Sequence, residues 1–212
     1  MILPAPAKFE TQTNVLVVGA GACGLTVALA AGEQTDEVLV LERDPQPAGS
    51  TALSSGFIPA GGTRFQADVD GPALFAADIT TKAKGKQDAA LTKIVTTAIG
   101  STLEWLADRH GLVWQVLDSF TYPGHSAQRM HTVPEKTGEA LMTRLQSAAS
   151  HIPIATQAIV TTLYVTDATV LGVQITRPDG RQENIGCRSL ILACNGYGGN
   201  PALVRDYIPE MR

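Results

Sequence analysis

Val15-Leu-Val-Val-Gly-Ala-Gly-Ala-Cys-Gly24 joins a short apolar run to three glycines, and its reading decides the fold. Val15 to Val18 is the β-branched kind of run that forms a buried parallel strand. Gly19, Gly21 and Gly24 follow at the G-x-G-x-x-G spacing. The first glycine of such a set allows a tight turn, the second lets the backbone approach a pyrophosphate, and the third lets the next helix pack closely on the strand. The unpaired N–H groups that open that helix hold an anion.

The spacing alone is weak, since any glycine-rich strand-to-helix turn produces it. The flanking sequence completes it. Leu25 to Ala31 continues as a small-residue helix with Gly32 as its cap, and Val38 to Leu41 supplies a second buried strand ending at Glu42. Glu42 lies 18 residues past Gly24, close to the roughly 20 expected of a carboxylate that accepts hydrogen bonds from an adenosine ribose. The plain alternative is a strand end with a solvated glutamate. The joint pattern predicts a dinucleotide site in an α/β fold.

Which dinucleotide is bound depends on the next stretch, Ala48-Gly-Ser-Thr-Ala-Leu-Ser-Ser-Gly-Phe-Ile-Pro-Ala-Gly-Gly-Thr63. It offers backbone N–H groups and small hydroxyls to a long polar ligand, where an NAD-binding unit passes quickly into its next helix. On composition alone it also reads as a flexible linker. The order of the glycine motif, Glu42, Ser50-Thr-Ala-Leu-Ser-Ser-Gly56 and the late Leu190-Ile-Leu-Ala-Cys-Asn-Gly-Tyr-Gly-Gly-Asn200 resembles the flavoprotein family of fumarate reductases, succinate dehydrogenases and 3-ketosteroid dehydrogenases.

The resemblance covers nearly the whole chain but only the N-terminal part of that family's FAD domain. It implies a Rossmann-like FAD-binding domain over residues 1–212, with a capping domain absent. Gly19, Ala20, Gly21 and Gly24 would lie at the pyrophosphate and Glu42 on the ribose, with Ala22 and Arg43 also among the cofactor-binding residues. Ser50, Thr51, Ser54, Ser55 and Gly56 would run along pyrophosphate, ribityl and flavin. Val160 would lend backbone atoms to the adenine, and Ala193 and Gly196 complete the implied cofactor-binding set. The implied activity is an FAD-dependent oxidoreductase acting on CH–CH groups, either reducing or forming a C=C bond. The alternative is a non-catalytic FAD-binding subunit or fragment. Family members continue into a mobile cap about where Pro209-Glu-Met-Arg212 stands, so a second polypeptide, docked along the edge after Ser189 to Ala193, is expected to complete the site in a hetero-oligomer.

Departures from the family pattern carry information. Ser50 is in best register with the histidine that bonds covalently to flavin in respiratory succinate dehydrogenases, and serine cannot form that link. FAD is therefore expected to be non-covalent. Phe57 replaces a glycine of the soluble fumarate reductases, and Cys194-Asn195 replaces a Thr-Gly pair, which leaves the substrate open.

With 44% hydrophobic and 17% charged residues, the chain has enough apolar material for a core. No run approaches the roughly 20 apolar residues of a membrane span. The net charge of −4 and the lack of a basic stripe argue against nucleic acid. Met1-Ile-Leu-Pro-Ala-Pro-Ala-Lys8 lacks the charged and apolar regions of a signal peptide. Cys23, Cys187 and Cys194 read as small buried residues of a reducing, cytoplasmic compartment. With no C-x-x-C or Cys/His ligand spacing, no metal is expected.

Asp88 to Arg109 predicts a core-facing helix carrying Leu91, Ile94, Val95, Ala98, Leu103 and Leu106, capped by Gly111. Leu117 to Pro134 reads as an irregular loop. Its Arg129 and His131 are the catalytic candidates, able to meet an anionic substrate or a flavin carbonyl, or else simply solvated. A helix over Gly138 to Ala149 follows. Strands come next at Ile159 to Thr166, Val170 to Thr176 and Ser189 to Ala193, with a turn at Pro178-Asp-Gly180. The expected architecture is one α/β domain with a central parallel sheet and a small antiparallel meander.

Overall fold

In a computed structural model that describes residues 1–67 and 69–211, the chain runs β1 (Ile2–Leu3), β2 (Thr11–Val18), α1 (Ala22–Gly32), β3 (Val38–Leu41), α2 (Gly49–Ala52), β4 (Ile58–Pro59), α3 (Pro72–Lys82) and α4 (Ala89–His110). It continues through β5 (Gln115–Val116), β6 (Met130–Thr132), α5 (Gly138–Ala148), β7 (Ile154–Ala155), β8 (Ile159–Thr166), β9 (Thr169–Thr176), β10 (Gln182–Leu192) and α6 (Pro201–Tyr207). Two compact units result. The first comprises Met1–Pro47 with His151–Arg212, and the second Ala48–Ser150.

The first unit is built on a seven-stranded sheet ordered β1-β8-β9-β10-β2-β3-β7. The pairs β10–β2, β2–β3, β3–β7 and β1–β8 are parallel, and β8–β9 and β9–β10 are antiparallel. Leu16, Val18, Leu41, Val173, Ile175 and Ile185 form a core cluster on this sheet. Val17 and Val40 are also fully buried, as are Leu25 and Ala28 of α1. These strands carry apolar side chains on both faces, as a parallel sheet covered on both sides requires.

The last strand differs from expectation. It begins at Gln182, seven residues before Ser189. Gln182 to Gly186 pairs antiparallel with β9, and from Ile185 onward the strand runs parallel to β2. Its polar opening, Gln182-Glu-Asn184, hides it from a reading based on apolar runs. Helix α1 also extends through Gly32, with Glu33 as the cap residue. Cys187 is buried, whereas Cys23 and Cys194 are exposed, against the expectation of three buried thiols.

In the second unit a small sheet, β4-β6-β5, stands with α2 to α5. Helix α4 has the predicted ends: the Asp88 carboxylate accepts from Leu91 N–H at 2.8 Å, and Gly111 closes it at φ 70°. Its buried stripe, however, is Thr96, Gly100, Leu103 and Leu106, while Leu91 and Ile94 are 59% and 64% exposed. The helix has apolar residues on two faces, and periodicity cannot say which one meets the core. Trp114 completes the packing by donating its indole N–H to the Leu103 carbonyl at 2.9 Å.

The β8–β9 hairpin turns at Asp167 and Ala168, with φ of 48° and 59°. A two-residue type I′ turn demands positive φ at both positions and favours Asn-Gly or Asp-Gly. Alanine in the left-handed region costs about 1–2 kcal/mol. Ala168→Gly is therefore expected to raise stability by about 1 kcal/mol in urea unfolding. An unchanged midpoint would contradict the turn geometry.

Candidate functional site

The first unit assembles the glycine loop, Glu42 and the start of β8 around the C-terminal ends of β2 and β3. Gly19 takes φ 104°, and a Cβ there would lie 2.6 Å from the Ala193 carbonyl oxygen. At Gly24 an added Cβ would overlap the Gly19 carbonyl oxygen. Both positions thus require glycine, the first for its backbone and both for the close approach. Gly21 is the N-cap of α1 and supplies no side-chain cap, and the backbone N–H groups that open a helix favour an anion. Ala22 opens the helix, half-buried beside them.

Glu42 is 8% exposed. One carboxylate oxygen accepts from Ala20 N–H at 2.9 Å and the other from Asp44 N–H at 3.0 Å. The carboxylate therefore ties the glycine loop to the end of β3, and each oxygen keeps a lone pair for a ligand hydroxyl. The chain beyond β7 is pinned to the same place, since Ala158 N–H donates to the Glu42 carbonyl and Gln157 N–H to that of Asp44. Val160 follows, next to an irregularity in the β8–β9 register between Val160 and Thr162. Arg43 points to solvent, 3.6 Å from Asp44. Ala193 N–H donates to the Val18 carbonyl, and Gly196 N–H to the Asn195 side chain at 2.9 Å.

The serine-rich segment belongs to the second unit and is ordered rather than a free linker. Ser54 Oγ donates to the Thr51 carbonyl at 2.7 Å and accepts from Gly56 N–H at 3.0 Å. Gly138 N–H, at the start of α5, donates to the Ser54 carbonyl at 2.9 Å. Thr51 and Gly56 are at least partly covered, while Ser50, Ser54 and Ser55 face solvent.

Arg129 and His131 are neither solvated nor on an open loop, since both side chains are completely buried. Arg129 binds Asp70 through Nε at 2.9 Å and Nη2 at 3.0 Å, and reaches Asp78 through Nη1 at 2.5 Å. Its guanidinium also lies over the Phe75 ring at 4.8 Å. Asp78 in turn accepts from the Ser126 N–H and hydroxyl. Such charges persist in a dry interior only with paired partners. His131 Nε2 lies 2.6 Å from Thr63 Oγ1, and Nδ1 lies 2.9 Å from the Arg129 carbonyl. Sequence reasoning missed Asp70, Asp78 and Thr63, which stand 51 to 68 residues from their partners and carry no motif.

Burial, opposed by the backbone bonds to Arg129 and Ile58, drives the His131 imidazole below its ordinary range. Burial and the Arg129 cation do the same to His125. Burial would raise the Asp78 carboxyl, but the bonds from Ser126 and Arg129 outweigh it and hold it low. The unfolded chain binds the histidine protons near pH 6.5 and the folded protein only below that. Stability is therefore full above pH 6.5 and falls as the pH drops through it, with the Asp78 contribution lost only below about pH 4. Urea unfolding should show this decline between pH 7 and 5.5, and His125→Phe should flatten it. A flat wild-type profile would contradict the assignment.

Comparison with known proteins places these features in a family. Residues 14–212 match the FAD binding domain family model. The chain is 28% identical to urocanate reductase of Eggerthella lenta, over 98% of this chain and 35% of that protein. It is 27% identical to the NADH:fumarate oxidoreductase of Klebsiella pneumoniae, over 98% of this chain and 22% of that protein. In structure it is similar to the open conformation of a flavocytochrome c3 fumarate reductase, with a TM-score of 0.87 and 27% identity over 97% of this chain and 37% of that one. A 3-ketosteroid-Δ4-(5α)-dehydrogenase from Rhodococcus jostii shares the fold, with a TM-score of 0.82 and 22% identity over 96% of this chain and half of that one. The chain thus spans about a third or less of the length of these curated relatives. With a glycine cradle, a loop-bound glutamate and a family match over residues 14–212, the chain belongs to the FAD binding domain family.

Proposed function

We propose that this chain holds FAD without a covalent bond for an oxidoreductase that moves a hydride to or from a carbon next to an electron-withdrawing group. A C=C bond is reduced or formed. The observation that carries this reading is the cradle itself: Gly19 and Gly24 in positions that exclude any side chain, closed by Glu42 through Ala20 N–H. In it, the first turn of α1 holds the pyrophosphate, Glu42 accepts from the ribose, and the backbone at Val160 meets the adenine. Ser50, Thr51, Ser54, Ser55 and Gly56 serve the ribityl and flavin portions. Bound FAD supplies the hydride chemistry, while the protein orients it. The relatives named for urocanate and fumarate reduction support this reaction class. Exposed free thiols at Cys23 and Cys194 suit a reducing, cytoplasmic compartment. No described helix is long and apolar enough to cross a membrane.

The role of Arg129 and His131 is read here as positioning. Arg129 is completely buried and bonded to both Asp70 and Asp78, so it orders the loop over 117–134 and does not reach for a substrate.

A second polypeptide carrying a cap and a further FAD-contacting segment is proposed to complete the site. Among the described residues, Cys187 to Leu192 pair with β2 alone, and Leu192 is 56% exposed. A parallel strand with one open edge in the middle of a sheet is a site for strand addition. The competing reading, a subunit that only stores FAD, is separated by whether a saturated substrate next to an electron-withdrawing group bleaches the oxidised flavin, or the matching alkene restores the colour of the reduced flavin.

Acid precipitation should release the flavin into the supernatant, and flavin retained in the pellet would overturn the non-covalent assignment. Glu42→Ala should weaken FAD binding by about 1.5–3 kcal/mol, the scale for losing a charged acceptor. An unaltered affinity would remove Glu42 from the ribose. Size-exclusion chromatography with mass detection should find the active species larger than the 22.3 kDa chain. A monodisperse monomer that binds FAD tightly and turns over substrate would refute the need for a partner.

A further inference from the structure

The turn at Gly19 is held firmly from two strands. Gly19 N–H donates to the Leu41 carbonyl at 2.7 Å, and Ala193 N–H donates to the Val18 carbonyl at 2.8 Å. An added Cβ at Gly19 would lie 2.6 Å from the Ala193 carbonyl oxygen and 3.1 Å from the Cys194 Cα. At Gly24, the residue after Cys23, an added Cβ would overlap the Gly19 carbonyl oxygen. Cys23, in the first turn of α1, and Cys194, just past the end of β10, therefore stand beside one turn from two different elements. It is the turn given above to the pyrophosphate.

Both thiols are free and exposed. The third cysteine, Cys187, lies in the core cluster, and burial pushes its thiol up. Asn195 fixes the exit of the strand, with φ 67° and a side chain that accepts from Gly196 N–H at 2.9 Å. Cys194 also departs from the Thr-Gly pair of the family pattern, so its thiol is no part of that pattern.

We propose that Cys23 and Cys194 are modification sites at which a small disulfide of the glutathione class closes the cradle to FAD. The inference rests on the FAD reading, which supplies the excluded ligand. In the exchange, the deprotonated cysteine sulfur attacks one sulfur of the small disulfide. The mixed disulfide forms, the disulfide's own S–S bond breaks, and its other half leaves as a thiolate that takes up the proton. The cysteine is oxidised and the leaving half reduced, and excess thiol reverses the step. The adduct sets a peptide bearing carboxylates beside a turn too tight for a Cβ, and its negative charge competes with the pyrophosphate for the start of α1. Ligand and adduct exclude each other, so bound FAD shields both sulfurs in return.

The test treats the full chain with glutathione disulfide, with and without bound FAD. Peptide mass mapping locates the adducts, and flavin fluorescence quenching reads FAD affinity. Without FAD, glutathionyl groups should appear on Cys23 and Cys194 while Cys187 stays unmodified, as a buried thiol does. FAD affinity should then fall at least about tenfold and return with dithiothreitol, and preloaded FAD should slow both modifications by a similar factor. The double variant Cys23→Ser, Cys194→Ser should bind FAD as the untreated wild type does and ignore glutathione disulfide. Adducts at neither residue, adducts with unchanged FAD affinity, undiminished modification of the FAD-loaded chain, or a Cys23–Cys194 bridge in place of adducts would overturn the proposal alone. Failure of the untreated wild-type chain to bind FAD would overturn the FAD reading as well.

Discussion

At Gly24 an added Cβ would overlap the Gly19 carbonyl oxygen, so helix α1 starts against strand β2 at a separation that only a missing side chain permits. The rest of the first unit depends on that approach. Because the helix begins so close to the strand end, its N-terminus stands over the C-terminal edge of the sheet, where anions bind in doubly wound folds. Glu42 then does two jobs with one carboxylate. It clamps Ala20 and Asp44 by their backbone N–H groups, and it keeps acceptor capacity facing the ligand side. A side chain without an acceptor oxygen at this position would leave Ala20 N–H, on a fully buried residue, without its partner.

The second unit is organised by an ion cluster. Arg129 stands between Asp70 and Asp78, with the Arg129 and Asp70 side chains wholly shielded from water. Desolvating three charges is costly, and the geometry answers it with a bidentate contact to Asp70 and a short contact to Asp78, itself bonded by Ser126. The cluster connects the residues just before α3, the middle of α3 and the residue that leads into β6. It fixes the loop before β6, which lets a segment without helix or strand hold a single shape.

Strand β10 joins two kinds of sheet in one element. Its first half continues the antiparallel excursion of β8 and β9, and its second half returns to the parallel core beside β2. The return brings the Ala193 carbonyl within 2.6 Å of where a Gly19 side chain would begin. The glycine motif near the N-terminus and the Leu190-Ile-Leu-Ala193 segment near the C-terminus are thus two sides of one junction.

The sequence by itself determined the strand-turn-helix at residues 15–32, the acidic end of β3, the limits of α4 and the β8–β9 hairpin. Each of these is written in local rules: backbone freedom at glycine, side-chain caps, and period-2 or helical spacing within a few residues. It also carried the FAD-domain resemblance, whose motifs are short and contiguous. Tertiary structure alone decided which face of α4 is buried, since Leu91 and Ile94 satisfy the helical period as well as Leu103 and Leu106 do. It decided that Arg129 and His131 serve the interior, because the carboxylates and the hydroxyl that claim them lie more than fifty residues away. It decided also where β10 begins, because a polar strand is recognised by the neighbours it pairs with and not by its own side chains.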